Sequence, residues 1–217
     1  AKNPYKGMYK RLQASIIVDG STFKNKVIRT AYLMPDDGLG LIERTYTGYY
    51  IRKFLDETLP FEKLYFGGSV TSWKELRLGE VLLNYAEAQN EVNNGPDESV
   101  YNAINQVRER AGLPVLPDGL NYTQMKERII HERKVELAFE GHRFWDLRRW
   151  RLAELVLNNK YFHGMKITEN VNGEKTYEIF ELNMLPKQVF LPKHYLMPIN
   201  QGELDKNPNL GGNNEGY

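Results

Sequence analysis

Four ionisable side chains in one stretch pose the first chemical question. Within His131–Trp150 (HERKVELAFEGHRFWDLRRW), Arg133, Glu136, Glu140 and Arg143 are spaced by 3, 4 and 3 residues. On a continuous helix that spacing makes successive members neighbours on one face, in the order basic, acidic, acidic, basic. Two glutamates so placed could be the acid and base of a glycoside hydrolase, one reading of Glu136 and Glu140. That chemistry needs the two carboxyls in unlike environments, so that one keeps its proton. Here each glutamate has an arginine in reach, which drives both towards ionisation. The stronger reading is a partly buried ion network of Arg133, Glu136, Glu140 and Arg143. It would pin this helix to its neighbours, including the polar stripe Arg77, Glu80, Asn84, Glu87 and Glu91.

Other chemistry is poorly served. His131, His142, Glu132 and Glu136 offer metal-ligand atoms, but no HExxH pairing occurs. His131 and His142 would stand about 16 Å apart along a helix. Phosphate loops, dinucleotide fingerprints and serine elbows are missing, so no metal or cofactor is expected. Cysteine is absent, which removes disulfides and thiolate chemistry. Arg148, Arg149 and Arg151 lie beside Trp145 and Trp150, as in some nucleic-acid sites. The net charge of +1 gives no long-range attraction to a polyanion, and those arginines read as a solvated face.

The elements that must position these groups divide the 217 residues into three parts. Residues 1–72 look irregular and partly β, with β-prone runs at Ala14–Val18 and Lys26–Tyr32 around an Asp19-Gly20-Ser21 turn. Arg44–Phe54 suggests another strand. Residues 73–158 are helical. A helix spans Trp73–Val92, a second starts near Asp97 and stops at Gly112 and Pro114, and together they make a TPR-like hairpin. A third is capped by Asn121 or Thr123, runs through Phe139, and continues past Gly141 to about Asn158. Residues 159–217 form a loop-rich tail with a strand pair around Val171-Asn172-Gly173. The chain opens AKNPYKGMYKR, with no initiator Met or apolar leader, and reads as a fragment or processed product. Tyr46, Tyr49, Tyr65 and Phe66 are the candidate ligand-facing aromatics, because rings on loops beside glycines suit sugar stacking.

Several ordered segments resemble the SusD/RagB family. Arg77–Ala88 (RLGEVLLNYAEA) is similar to its RLAEVLLNYAEA helix, and Ile104–Leu113 (INQVRERAGL) to its INxVRxRAGL. Glu132–Trp150 resembles ERxxELAFEGxRFxDLxRW, and Leu196–Ile199 with Glu203-Leu204 and Asn207–Leu210 resembles the family's ending. Arg11–Ser15 with Gly20–Thr22 is similar to an early RLxATI…G stretch, while Gly79 stands where Ala is usual. The resemblance implies a mainly α fold of TPR-like hairpins, an irregular, partly β ligand-facing region and an extended C-terminal tail. It implies that the N-terminal half of the family, including its lipidated cysteine, lies outside this chain. It further implies a non-catalytic glycan-binding lipoprotein at the outer-membrane surface, partnered by a SusC-like TonB-dependent transporter in nutrient uptake. A helical-repeat protein-interaction module is the other alternative to the hydrolase.

Overall fold

The computed structural model describes residues 3–7, 10–35, 37–63 and 68–217. It is mainly helical, with 37% helix, 12% strand and small sheets. The chain folds as two compact units, Ala1–Arg143 with His163–Phe180, and Phe144–Phe162 with Glu181–Tyr217.

The first unit opens with a short helix, α1 (Lys10–Ser15), and four two-residue strands, β1 (Ile16–Ile17), β2 (Thr22–Phe23), β3 (Lys26–Val27) and β4 (Tyr50–Ile51). β1 pairs antiparallel with β4, and β2 with β3. Between β2 and β3, Lys24 and Asn25 both take positive φ, as a two-residue hairpin turn demands. The β-prone run from Ala14 is thus helical through Ser15, and of Arg44–Phe54 only Tyr50 and Ile51 are strand. The backbone around them is occupied by turns. Thr45 Oγ1 accepts from the amides of Thr47, Gly48 and Tyr49 and donates to the Tyr49 carbonyl, leaving no ladder there.

Three helices carry the main core: α2 (Leu78–Val92), α3 (Glu98–Arg110) and α4 (Tyr122–Glu136). Leu83 and Ala86 meet Val100, Ile104 and Val107 from α3 and Met125 and Ile129 from α4, all essentially buried. Burying each large aliphatic contributes roughly 1.5–3 kcal/mol. Asp97 caps α3, accepting from the Val100 amide; the Ser99 hydroxyl, then that amide, hold its carboxyl down at about 2. Asn121 caps α4 in a full capping box with Gln124.

Two helix boundaries differ from the periodic pattern. α2 starts at Leu78 rather than Trp73, with Arg77 extended at its N-cap. α4 ends at Glu136 rather than Phe139. Phe139 and Gly141 both have positive φ, which no α-helix accommodates, and α5 (His142–Arg149) begins afresh after them. A further positive φ at Arg151 separates α5 from α6 (Ala153–Leu157).

The hairpin of β5 (His163–Glu169) and β6 (Lys175–Glu181) turns at Gly173, φ +79°. Its Met165 and Ile167 pack with Ala31, Tyr5, Tyr49 and Tyr177 in a second core. The Tyr32 amide donates to Ile167 O and the Met165 amide to Thr47 O, tying the irregular region to β5. In the second unit, Leu147, Ala153 and Phe190 form a small core, followed by a tail whose one α-helix is α7 (Gln201–Lys206).

Asn121→Ala should cost about 1 kcal/mol in urea denaturation, the usual value of a lost N-cap. Gly48→Ala should cost more, because φ is +79° there and a Cβ would run into the Met165 carbonyl oxygen. A Gly48→Ala chain as stable as the parent would show that this turn does not lock onto β5.

Candidate functional site

The chemically richest place in the first unit lies where α4 runs out. Glu132 and Glu136 occupy the last two turns of α4, and Glu140 sits in the turn after it. Their side chains are 1, 2 and 3% exposed. Each is met by cations from elsewhere in the chain. Glu132 pairs with Arg11 at 2.6 Å and with Arg108 at 2.8 Å. Glu136 pairs with Arg11 at 3.0 Å, Arg77 at 2.7 Å and Arg110 at 2.5 Å. Glu140 pairs with Arg77 at 2.6 Å and Lys53 at 2.5 Å.

Local folding explains each placement. Arg108 and Arg110 lie in the last turn of α3 and reach across to α4. Arg77 precedes the first turn of α2, where an extended backbone frees its side chain to donate Nε and Nη2 to Glu140, Nη1 to Glu136, and Nη2 also to the Glu136 carbonyl. Lys53 Nζ donates to the carbonyls of Glu136 and Ala138 at 3.1 and 3.0 Å as well as to Glu140. It therefore satisfies carbonyls left open where the helix stops, at the end of the dipole that favours a cation. Gly79 fits beneath this arrangement: a Cβ there would come within 2.6 Å of Arg77 Nη1.

The electrostatics follow. Burial alone would raise the Glu140 carboxyl, but hydrogen bonds from Arg77 and Lys53 outweigh it and hold the group below its ordinary value. Hydrogen bonding to Glu140 in turn raises the Arg77 guanidinium, against the opposing pull of its burial. A cleft of about 390 Å³ runs over Glu136 and Glu140 and is edged by Lys10, Lys53, Lys74 and Arg110. All four carboxylate oxygens beneath it already face a cation. Chemically, this is a locked charge centre.

Of the four residues with the 3, 4, 3 spacing, Arg133 and Glu136 lie on α4, Glu140 in the turn and Arg143 on α5. The break at 137–141 means that the four are not one helical face. Arg133 donates to Asn84 of α2 at 2.5 Å. Arg77, Asn84, Glu80 and Glu91 of the α2 stripe face Glu136 and Glu140, Arg133, His142, and Tyr122 with Lys126 respectively. The cations missing from the sequence reading were Arg11, Lys53, Arg108 and Arg110. The signal for the last two was present, as basic residues two apart at a helix C-terminus.

Among the aromatic candidates, Tyr46 is 60% exposed, whereas Tyr49 is half-buried against Tyr5 at 6.2 Å and accepts from the Tyr5 hydroxyl at 3.3 Å. Burial first, then that hydrogen bond, pushes the Tyr5 phenol well up. Tyr65 and Phe66 lie outside the described residues. In the second unit the basic cluster is turned onto its own rings. Arg148 lies 3.5 Å from the Phe144 ring centre, Arg149 4.4 Å from Trp150 and Arg151 4.6 Å from Tyr195. Among the described residues no group of three His, Cys, Asp or Glu side chains could hold a metal ion, and no helix is long and apolar enough to cross a membrane.

With this geometry in place, comparison with known proteins is decisive. The sequence matches the family described as SusD family over residues 2–217. The chain belongs to the SusD family. A SusD-like protein of Formosa agariphila is 36% identical over 156 residues, covering 69% of this chain and 26% of that protein. A second from the same organism is 33% identical over 147 residues, 65% of this chain and 24% of that one. Among solved structures, a SusD-like protein from Bacteroides fragilis aligns at TM-score 0.77 and 30% identity, covering 98% of this chain and 40% of that one. A SusD-like carbohydrate binding protein from the same species aligns at 0.71 and 28%, covering 96% and 42%. This SusD-family chain thus spans about a quarter of the curated relatives' length and about two fifths of the solved chains.

Replacing Glu136 by Ala should cost roughly 3–5 kcal/mol, because it leaves buried guanidinium charge uncompensated. Thermal and urea denaturation would both show it. Glu140 adds a pH signature. Its folded value is depressed, so its stabilisation is fully present above the ordinary carboxyl value of 4.5 and is lost as pH falls through the folded value. Glu140→Gln should therefore flatten the fall of stability below pH 4.5. An unchanged acid limb in that variant would count against Glu140 being held ionised.

Proposed function

We propose that this chain is part of a non-catalytic, cell-surface glycan-binding protein. It would act at the outer membrane with a SusC-like TonB-dependent transporter, held there by a lipid anchor outside this chain. The observation that carries the proposal is family membership over 2–217, joined to a shared fold with a relative described as carbohydrate binding. The charge centre supports the non-catalytic half. A hydrolase needs one glutamic acid that keeps its proton and one free carboxylate. Glu136 and Glu140 offer neither, since cations occupy their oxygens and Glu140 is held ionised.

Tyr46 is the side chain best presented for sugar stacking. It stands exposed on a turn that Thr45 Oγ1 ties together through three backbone amides. A rigid turn spends little entropy when a ligand settles on the ring. Tyr49 supports that turn from beneath rather than meeting ligand itself. We read the α2–α3 pair as a TPR-like hairpin. Leu78, Val81, Tyr85 and Val92 form an exposed stripe on α2, opposite its core face, and a further helix pair would cover it. That stripe is also the one feature favouring a protein-interaction module.

A glycan array probed with the chain, followed by calorimetry on its best ligand, tests the proposal. Tyr46→Ala should weaken binding about tenfold, or ~1.4 kcal/mol. No ligand should be cleaved on prolonged incubation. Cleavage by the parent that disappears in Glu136→Gln, with the fold retained, would restore the hydrolase. An array with no sugar bound, together with tight capture of a soluble helical partner, would favour the interaction module.

A further inference from the structure

A second cleft in the first unit, of about 650 Å³, shares Arg11 and Ser15 with the first. Its volume falls within the usual range for small-ligand pockets. Arg128, His131 and Val135 share one face of α4, at spacings of three and four residues, and line it. Lys134 from the same helix and Lys6 from the N-terminal segment complete a basic rim. The floor is aliphatic, built from Leu12, Ile16, Leu113 and Val135.

The charge balance is one-sided. Five side chains of fixed positive charge line the cleft, against a single carboxylate, Glu132. That carboxylate is 1% exposed and already neutralised by Arg11 and Arg108, which face it at 2.6 and 2.8 Å. Lys6, Arg128 and Lys134 remain. Among the described residues none of the three makes a side-chain hydrogen bond or ion pair, and all three are exposed. Three uncompensated cations around an aliphatic floor repel one another, and an anion relieves that cost. Among the described residues no Phe, Tyr or Trp ring lines the cleft, so a neutral sugar finds no broad stacking platform there.

We infer that this cleft is a subsite for an acidic sugar, whose ring C–H face lies on the aliphatic floor while its carboxylate or sulfate meets Lys6, Arg128 and Lys134. The inference rests on the glycan-binding reading above and specifies a charge class for the ligand. It also separates two kinds of contact. Tyr46 would hold a ring by stacking, whereas the cleft would select its charge.

Calorimetry with a short oligogalacturonate, a sulfated oligosaccharide and a neutral oligosaccharide of equal length tests it on the parent chain and on the Arg128→Glu/Lys134→Glu double variant. Both substituted residues are exposed and unpaired, so an unchanged melting temperature should accompany the change. The acidic sugar should bind the parent and lose at least about tenfold in the double variant, and its affinity should fall as salt rises. Whichever acidic probe responds names the anion. Equal affinity for parent and variant overturns the inference. So does binding of only the neutral sugar, which leaves the glycan reading intact. Binding of no sugar overturns both. An oligoglutamate peptide that binds as tightly through the same two residues makes the cleft a peptide site and overturns the assignment to sugar.

Discussion

Glu132, Glu136 and Glu140 are carboxylates with almost no exposed side-chain surface, and an ionised carboxylate so placed costs several kcal/mol unless cations come to it. The first unit is arranged around bringing them. Arg11 arrives from α1, Lys53 from the segment after β4, Arg77 from the approach to α2, and Arg108 and Arg110 from the end of α3. Four stretches far apart in sequence thus converge on the last turns of α4 and the bend beyond it. The same constraint explains why α2 begins at Leu78. An arginine committed to Glu136 and Glu140 sits at its N-cap with extended backbone, and no helix continues upstream of it.

The helical part of this architecture is legible because its signals are local. Asp97 and Asn121 are caps whose side chains bond the next turn, and Gly112 ends the α3 region in a left-handed conformation. The apolar faces of α3 and α4 repeat at helical spacing, and the Asn172-Gly173 turn marks the β5–β6 hairpin. The bend at 137–141 is less legible. Leu137, Ala138, Phe139 and Glu140 are acceptable helix formers, and the pattern runs through them. What breaks the helix is tertiary: Lys53 holds the carbonyls of Glu136 and Ala138, and Phe139 takes a positive φ that no propensity scale anticipates.

The site residues divide the same way. Glu136 and Glu140 stood out as a pair because their types and spacing are visible in one window of sequence. Of their partners, Arg77 was legible in the polar stripe of the neighbouring helix, whereas Lys53 was not, since a cation 87 residues away leaves no periodic trace. Arg11, Arg77, Arg108 and Arg110 fall within the segments that carry the family resemblance, which did not by itself assign them to the glutamates. The tyrosines were undecidable for a different reason. Tyr46 and Tyr49 differ by three positions in one turn, yet one ring stands in solvent and the other supports a core of Met165, Ile167 and Tyr177.

A buried ion network is a weak source of stability in itself, since well-packed aliphatic residues of similar volume often do as well. Its advantage here is selectivity among chain arrangements. An aliphatic core would accept any apolar side chain that reached it, whereas the buried Glu136 carboxylate is met by Arg11, Arg77 and Arg110 from three separate segments. Among its described residues the irregular region has only two-residue strands and little ladder of its own, so it depends on such specific ties, from Arg11 and Lys53, to fix where its loops stand. Tyr46 and the basic rim around Lys134 are carried on loops and faces whose position those ties determine. The buried glutamates of the run that carries the family resemblance are therefore scaffold, and on the proposal above ligand choice falls to residues outside the buried network, Lys134 of the same run among them.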